Sequence, residues 1–317
     1  MPASTLNVLV IGCGAVGAGY DLHTDSVLTH AKAFHRHPRI RLTVMDADAE
    51  RTRVVAGVYA APSINELTPA ALKEFAIVSL CVPTALHFQF LKTLLEASVP
   101  LIICEKPVVA TLEQITALRA LYCADRHRIL VNYIRRFQPG CLVLKNRLRE
   151  ILSHEALRHI TIRYQRGFLN NCGHALDLLE FLFDRPTLMG RFHVLGKDFD
   201  AFPDDPTLSG AFLLGPTPVF VAGVPHAAYP IFELDLVTDR SRIEIRESGD
   251  QIHYHRLSDK SPGRFEEHHA WRQSGVIADY MVPVIEEALR VLDHGTPTNF
   301  ASALDLNESM LKVLGSA

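Results

Sequence analysis

The chain has 317 residues, 48% of them apolar and 21% charged, a balance that excludes a disordered or fibrous protein. Its length points to two domains, since one domain commonly runs to about 100–200 residues. With 32 Lys and Arg against 35 Asp and Glu the net charge is −3, so no bulk field draws the protein to nucleic acid or an anionic membrane. The expected partner is a small molecule.

The opening MPASTLNVLVIGCG has no basic segment ahead of its apolar run and does not read as a secretory signal. No apolar stretch approaches the roughly 20 residues of a membrane span. The six cysteines, Cys13, Cys81, Cys104, Cys123, Cys141 and Cys172, show no CxxC spacing. Three lie in or beside apolar strands, so they read as reduced core residues, and a cytoplasmic location is expected.

In chain order, a strand over 6–11 closes in glycines, and a helix over 29–37 leads to a second strand over 41–45. Helices follow over 49–56 and 68–75, a strand over 76–81, a helix over 85–97 and a strand over 101–104. A helix opened by a Thr111/Gln114 capping box then precedes a strand over 129–132. Repeated β/α units predict an α/β Rossmann domain, a doubly wound parallel sheet, over 1–126.

Beyond that the rhythm changes. A helix over 142–152 precedes strands such as 157–164, 231–238 and 242–246, with turn signals at Gly196, Asp204 to Pro206, Gly215–Pro216 and Ser248–Gly249. Residues 127–317 are expected to form an α+β domain with a large, mostly antiparallel open sheet, for substrate binding and oligomerisation. Helices over 274–294 and 302–314 close the chain, the last able to pack back on the first domain.

The glycine run Gly12, Cys13, Gly14, Ala15, Val16, Gly17 stands where the first strand ends. There Gly12 allows a tight turn, Gly14 lets the backbone approach a pyrophosphate, and Gly17 allows close packing of helix on sheet, with the helix N-terminus meeting the phosphate charge. Asp46, directly after the second strand, can accept hydrogen bonds from an adenosine ribose and would repel a 2′-phosphate. NAD is the expected cofactor. Arg51 or Arg53 reaching a 2′-phosphate would instead favour NADP. The Gly17 to Asp46 separation is long because residues 18–27 read as an insertion.

Residues 81–107, CVPTALHFQFLKTLLEASVPLIICEKP, closely resemble the signature of the glucose-fructose oxidoreductase, inositol dehydrogenase and MocA family. The matching features are Pro83 after the fourth strand, His87 in the next helix, Glu105-Lys106-Pro107 after the fifth, Asn132-Tyr133 with Arg136-Phe137 after the sixth, and Gly173-His174 with Asp177. Independently of the family, Lys106 sits at the carboxyl end of a parallel strand, where open α/β sheets bind ligands. Pro107 bars it from the helical region or makes a cis peptide with it. The bland reading is a surface loop lysine. The resemblance implies that Cys81, Pro83, His87, Glu105 and Lys106 border the cofactor, with Glu105 orienting Lys106. It also implies that Lys106 hydrogen-bonds the reacting oxygen, where a fixed cation would stabilise developing alkoxide charge.

Asn170-Asn171-Cys172-Gly173-His174-Ala175-Leu176-Asp177 opens an apolar helix that Asn170 or Asn171 can cap. His174 and Asp177 share a helix face, so the carboxylate can fix the imidazole, and an imidazole exchanges protons near neutral pH. The alternative is a histidine satisfied at a helix start. The resemblance implies that His174 relays the proton, with Asn170 and Asp177 orienting it and Tyr133 and Arg136 shaping the substrate pocket. Many relatives carry Asp where this chain has Asn170, and an amide cannot share a proton.

His253 and His255 alternate on a strand without a visible Cys or carboxylate partner, and His268–His269 is a polar-loop pair, so no metal site is expected. No GxSxG elbow supports a hydrolase. The expected protein is an NAD(P)-dependent oxidoreductase interconverting a secondary alcohol and a ketone on a sugar, sugar derivative or cyclitol. The resemblance implies a homodimer or homotetramer. The rivals are a non-catalytic NAD(P)-binding regulator and an NAD-dependent glycosidase.

Overall fold

The computed structural model describes residues 5–188, 191–266 and 271–316, and the chain divides into two compact units: Met1–Ile134 with Asp279–Asp305, and Arg135–Ala278 with Leu306–Ala317. The His268–His269 pair lies outside the described residues.

The first unit holds a parallel sheet of β1 (Leu6–Ile11), β2 (Ile40–Met45), β3 (Ile77–Leu80), β4 (Leu101–Cys104) and β5 (Ile129–Val131), in the order β2-β1-β3-β4-β5. The last three are buried at every position, as expected of central parallel strands covered on both faces. Between them run α1 (His30–Arg36), α2 (Ala49–Tyr59), the single turn α3 (Pro69–Leu72), α4 (Thr84–Glu96) and α5 (Leu112–Leu121). Strand order reverses at β1, so the carboxyl ends of β1 and β3 flank the switch point at which such sheets bind ligands.

The sheet has five strands, and the segments expected as fourth, fifth and sixth are therefore its third, fourth and fifth. The missing place is a single parallel bridge between Val44 and Ser63, with Val44 N–H donating to Pro62 O at 3.0 Å and Ile64 N–H to Val44 O at 3.2 Å. Pro62 brings no N–H, and Thr68 opens α3 six residues later, so the pairing stops after one residue.

The insertion after the glycine run is a built loop. Asp21, fully buried, accepts from the N–H groups of Leu28 (2.6 Å) and Thr29 (2.8 Å) and from the Thr29 hydroxyl (2.7 Å), and Thr29 caps α1. At α5 the Thr111 hydroxyl accepts from Gln114 N–H, while the Gln114 side chain reaches back to Ala110 N–H, one residue before the position a capping box would use.

The second unit opens with α6 (Pro139–Leu152), β6 (Leu157–Tyr164) and α7 (Gly173–Phe183). There follow β7 (His193–Asp198), β8 (Thr207–Leu214), β9 (Thr217–Gly223), β10 (Phe232–Thr238), β11 (Ser241–Arg246), β12 (Gln251–Arg256) and β13 (Trp271–Gln273). Their order is β13-β12-β11-β10-β6-β9-β8-β7, antiparallel except for β6 beside β9. Alternation assigns Ile160, Ile162, Leu234, Leu236, Ile243, Ile245 and Ile252 to the core. The cross-strand row Thr161, Asp235, Glu244, His253 takes the opposite face. Gly196 is not a turn: it lies in β7, where the register against β8 shifts.

The chain then returns to the first unit with α8 (Met281–His294), which packs on α1, and ends in α9 (Phe300–Gly315), whose residues divide between the units after Asp305. α8 begins well after the expected start at 274. The Asn299 amide both accepts from Val131 N–H and donates to Val131 O, each at 2.9 Å, covering the open edge of β5 as a paired strand would. No helix among the described residues is long and apolar enough to cross a membrane.

Candidate functional site

The three glycines of the fingerprint separate by role. Gly12 has φ +96°, and a Cβ there would stand 2.6 Å from Cys81 O. A Cβ on Gly17 would meet Gly12 O at 1.8 Å, whereas one on Gly14 would meet nothing within 4 Å. The first and third glycines thus let backbone pack on backbone, and the second faces open space, the cradle a pyrophosphate requires. The run opens into a five-residue helical turn, Ala15–Gly19, and the helix expected over 29–37 follows the insertion as α1, His30–Arg36.

Asp46 joins this loop to the end of β2. Its Oδ2 accepts from Cys13 N–H at 2.7 Å and its Oδ1 from Asp48 N–H at 2.8 Å, with Arg51 Nη1 at 3.4 Å from both oxygens. Each carboxylate oxygen has capacity for a further donor, so a ribose hydroxyl fits, while Arg51 offers a cation beside it for a 2′-phosphate.

His87 is 1% exposed, with Nε2 2.9 Å from Val82 O and Nδ1 2.9 Å from Pro107 O. Both ring nitrogens face backbone carbonyls, so the side chain ties the loop after β3, where Pro83 caps α4, to the loop after β4. Burial depresses its basicity more than these carbonyls restore it.

Glu105 and Lys106 follow β4, and the Lys106–Pro107 bond is cis. Glu105 is buried, and its Oε1 lies 2.9 Å from His30 Nε2 and accepts from Asn132 Nδ2 at 2.6 Å. The other nitrogen of His30 is 2.6 Å from the Ser79 hydroxyl. Burial alone would strip the His30 proton, but the Cys81 sulfur and the Glu105 carboxylate oppose it and hold the pKa up at about 10. Burial would likewise protonate Glu105, yet His30, Lys106 and Asn132 hold it below the usual carboxylate range. Sequence reading missed His30 and Ser79. They stand 75 and 26 residues before Glu105, and no local pattern links them to it. Tyr133, expected at the substrate, is 1% exposed in the core of the first unit.

In the second unit His174 lies in the first turn of α7 and is largely buried. Neither Asn170 nor Asn171 caps that helix: their side-chain amides donate to the carbonyls of Arg166 and Gln165. A helical turn over Phe168–Cys172 precedes α7, and Asp205 caps it instead, accepting from Leu169 N–H and Asn170 N–H at 2.8 Å each. Gly167 (φ +89°) makes room, since a Cβ there would stand 2.2 Å from that carboxylate. Sequence reading placed Asp205 only within a turn signal and missed this contact, made 35 residues from Asn170.

Asp177 does not hold His174. Neither of its oxygens carries a hydrogen bond, and its charge partner is Arg136, with Nε at 3.4 Å. Burial pushes the Asp177 carboxyl up to about 7 against the pull of Arg136. Its proton preference therefore adds stability that is complete below the unfolded value of 3.8 and lost as pH rises through about 7. In Asp177→Asn this component is absent. Between pH 5 and pH 8 the variant should gain on wild type by on the order of 2 kcal/mol in denaturant unfolding, and a difference that stays flat across that range would refute the assignment.

Glu244 supplies the carboxylate that sequence reading did not find beside His253 and His255, and the ligand atoms of the three lie within 4.8 Å of one another. Arg242 (3.0 Å) and Arg246 already pair with Glu244, so a divalent cation there would meet two guanidinium charges.

The parallel sheet and the glycine cradle have the form of a dinucleotide-binding Rossmann domain, and residues 6–133 match the model of the oxidoreductase family with an NAD-binding Rossmann fold. The matched stretch carries the NAD-binding domain of that family, the glucose-fructose oxidoreductase, inositol dehydrogenase and MocA group. It is 32% identical over 148 residues to a myo-inositol dehydrogenase from Streptomyces leeuwenhoekii, a match covering 45% of this chain and 41% of that enzyme. The stretches matched span 41% to 62% of the length of the four curated inositol dehydrogenases it resembles. The fold follows the UDP-N-acetylglucosamine 3-dehydrogenase of Acidithiobacillus ferrooxidans with a TM-score of 0.73 at 18% identity, covering 99% of this chain and 98% of that one. It follows a mutant 3-ketoreductase from Actinomadura kijaniata, in complex with TDP-benzene and NADP, with a TM-score of 0.73 at 13% identity and 99% and 97% coverage.

Asp46→Ala should weaken NADH at least tenfold more than NADPH, and Arg51→Ala the reverse, in fluorescence titration of the reduced cofactors. Equal losses for both cofactors would remove these residues from cofactor choice.

Proposed function

We propose that the protein interconverts a secondary alcohol and a ketone on a sugar, sugar derivative or cyclitol, with NAD favoured over NADP. The observation that carries this reading is the Gly14 cradle in the same unit as Lys106, which follows a carboxylate held by His30 and Asn132. Bound nicotinamide accepts or gives the hydride. Lys106 holds the reacting oxygen and stabilises its developing charge, and His174 takes or returns the hydroxyl proton. Asn170 orients a substrate hydroxyl. Asp177 acts through Arg136.

The inositol dehydrogenase and sugar-nucleotide dehydrogenase names among the relatives support a polyhydroxylated ring as substrate. Retention of both Lys106 and His174 speaks against a regulator without turnover, and an NAD-dependent glycosidase would release sugar without net reduced cofactor. The test is a panel of sugars, sugar nucleotides and cyclitols followed by absorbance of the reduced cofactor. Lys106→Ala should lower kcat about 10²–10³-fold and His174→Ala about 10²–10⁴-fold. Wild-type rates in both variants would end this mechanism.

We also propose a homodimer or homotetramer in the cytoplasm. Leu213 and Phe220, 61% and 46% exposed on β8 and β9, lie on the outer face of the second sheet and support self-association there. A monomer mass by light scattering, at concentrations where turnover is seen, would exclude it. Six unpaired cysteines suit a reducing compartment.

A further inference from the structure

His30 is fully buried and gripped from two sides, by the Ser79 hydroxyl at 2.6 Å from Nδ1 and by Glu105 Oε1 at 2.9 Å from Nε2. The groups around it come from every strand end nearby. Ser79 and Cys81 belong to β3 and its end, Glu105 follows β4, and Asn132 follows β5, with the Met281 sulfur of α8 3.4 Å from the Asn132 amide. Cys81 and Glu105 are the titratable members, and the Lys106 charge also acts on Glu105. Neutral imidazole can donate from one nitrogen only. A neutral ring can donate to Glu105 while accepting from Ser79, and the doubly protonated ring donates to both; the carboxylate oxygen 2.9 Å from Nε2 favours the charged form.

We propose that His30 is a positioning residue for Lys106: as an imidazolium it neutralises Glu105 from behind, fixing where that carboxylate points and how strongly it binds the Lys106 proton. A carboxylate alone beside an ammonium raises its pKa by about 1–3 units. With the His30 cation paired to that carboxylate much of that pull is cancelled, so Lys106 remains a hydrogen-bond donor whose proton the substrate oxygen can share. The inference rests on the reading of Lys106 as the group that meets the reacting oxygen, and it adds a residue that touches neither substrate nor cofactor.

The test needs no substrate. Trace labelling of the full-length protein with acetic anhydride between pH 6 and 11, read by peptide mass spectrometry, gives the titration midpoint of Lys106. His30→Gln keeps a donor to Glu105 but removes the charge, and it should raise that midpoint by about one unit, a tenfold loss of reactivity at fixed pH below it. Glu105→Gln should lower it. An unchanged or lowered midpoint in His30→Gln overturns the proposal, as does a midpoint indifferent to Glu105→Gln. Should His30→Gln fail to fold, carbon-13 NMR of ring-labelled histidine in the wild type decides: His30 protonated at pH 8 supports the proposal, and His30 neutral at pH 8 refutes it. A shifted midpoint in a protein that oxidises no sugar would leave the coupling standing and remove only the dehydrogenase reading. Lys106-dependent turnover with an unshifted midpoint would do the opposite.

Discussion

Between Gly12 and Gly17 the chain folds on itself so closely that a single methyl group at Gly17 would sit 1.8 Å from the Gly12 carbonyl oxygen. That approach holds the turn after β1 against the end of β3, and the remaining features of the first unit are arranged around it. Asp46 binds Cys13 N–H and so fastens the end of β2 to the same loop. The next helix starts at His30, as its place after an insertion implied, and the loop that fills the interval has its own buried anchor in Asp21. Because the turn is made by backbone meeting backbone, Gly14 is left with open space, the room that the proposed dinucleotide needs.

The second organising element is electrostatic. A carboxylate buried in a strand-end cluster is costly unless it is paired and hydrogen-bonded, and Glu105 is both, through His30 and Asn132. In the second unit the comparable charge is handled less completely. Asp177 faces Arg136 at 3.4 Å without a hydrogen bond, and burial raises its pKa where pairing lowers that of Glu105. Two buried acids thus take opposite protonation preferences because one is fully solvated by side chains and the other is not.

Much of this was legible in the residues. The apolar runs closing in glycines, the acid after the second strand and the Glu105-Lys106-Pro107 segment are local signals, since strand period and turn chemistry act over a few residues. The family resemblance extended them to His174. What escaped was contact across long separations: His30 with Glu105, Asp205 with the backbone before α7, Glu244 with His253 and His255. Sheet register makes the last of these and the packing of a helix start or a loop against strand ends makes the others, and neither can be read from one segment at a time. His174 with Asp177 failed for another reason. Three residues along a helix do put two side chains on one face, but a nearby guanidinium offers the carboxylate a stronger partner than an imidazole.

Every side chain that grips Glu105 comes from the first unit: His30 at the start of α1, Asn132 after β5, and Lys106 beside it. The tuning of that lysine is therefore modular. The eight strands and connecting loops of the second unit can diverge toward new substrates without rewriting the charge balance at the strand ends. A protein built this way can change what it recognises more readily than how it reacts.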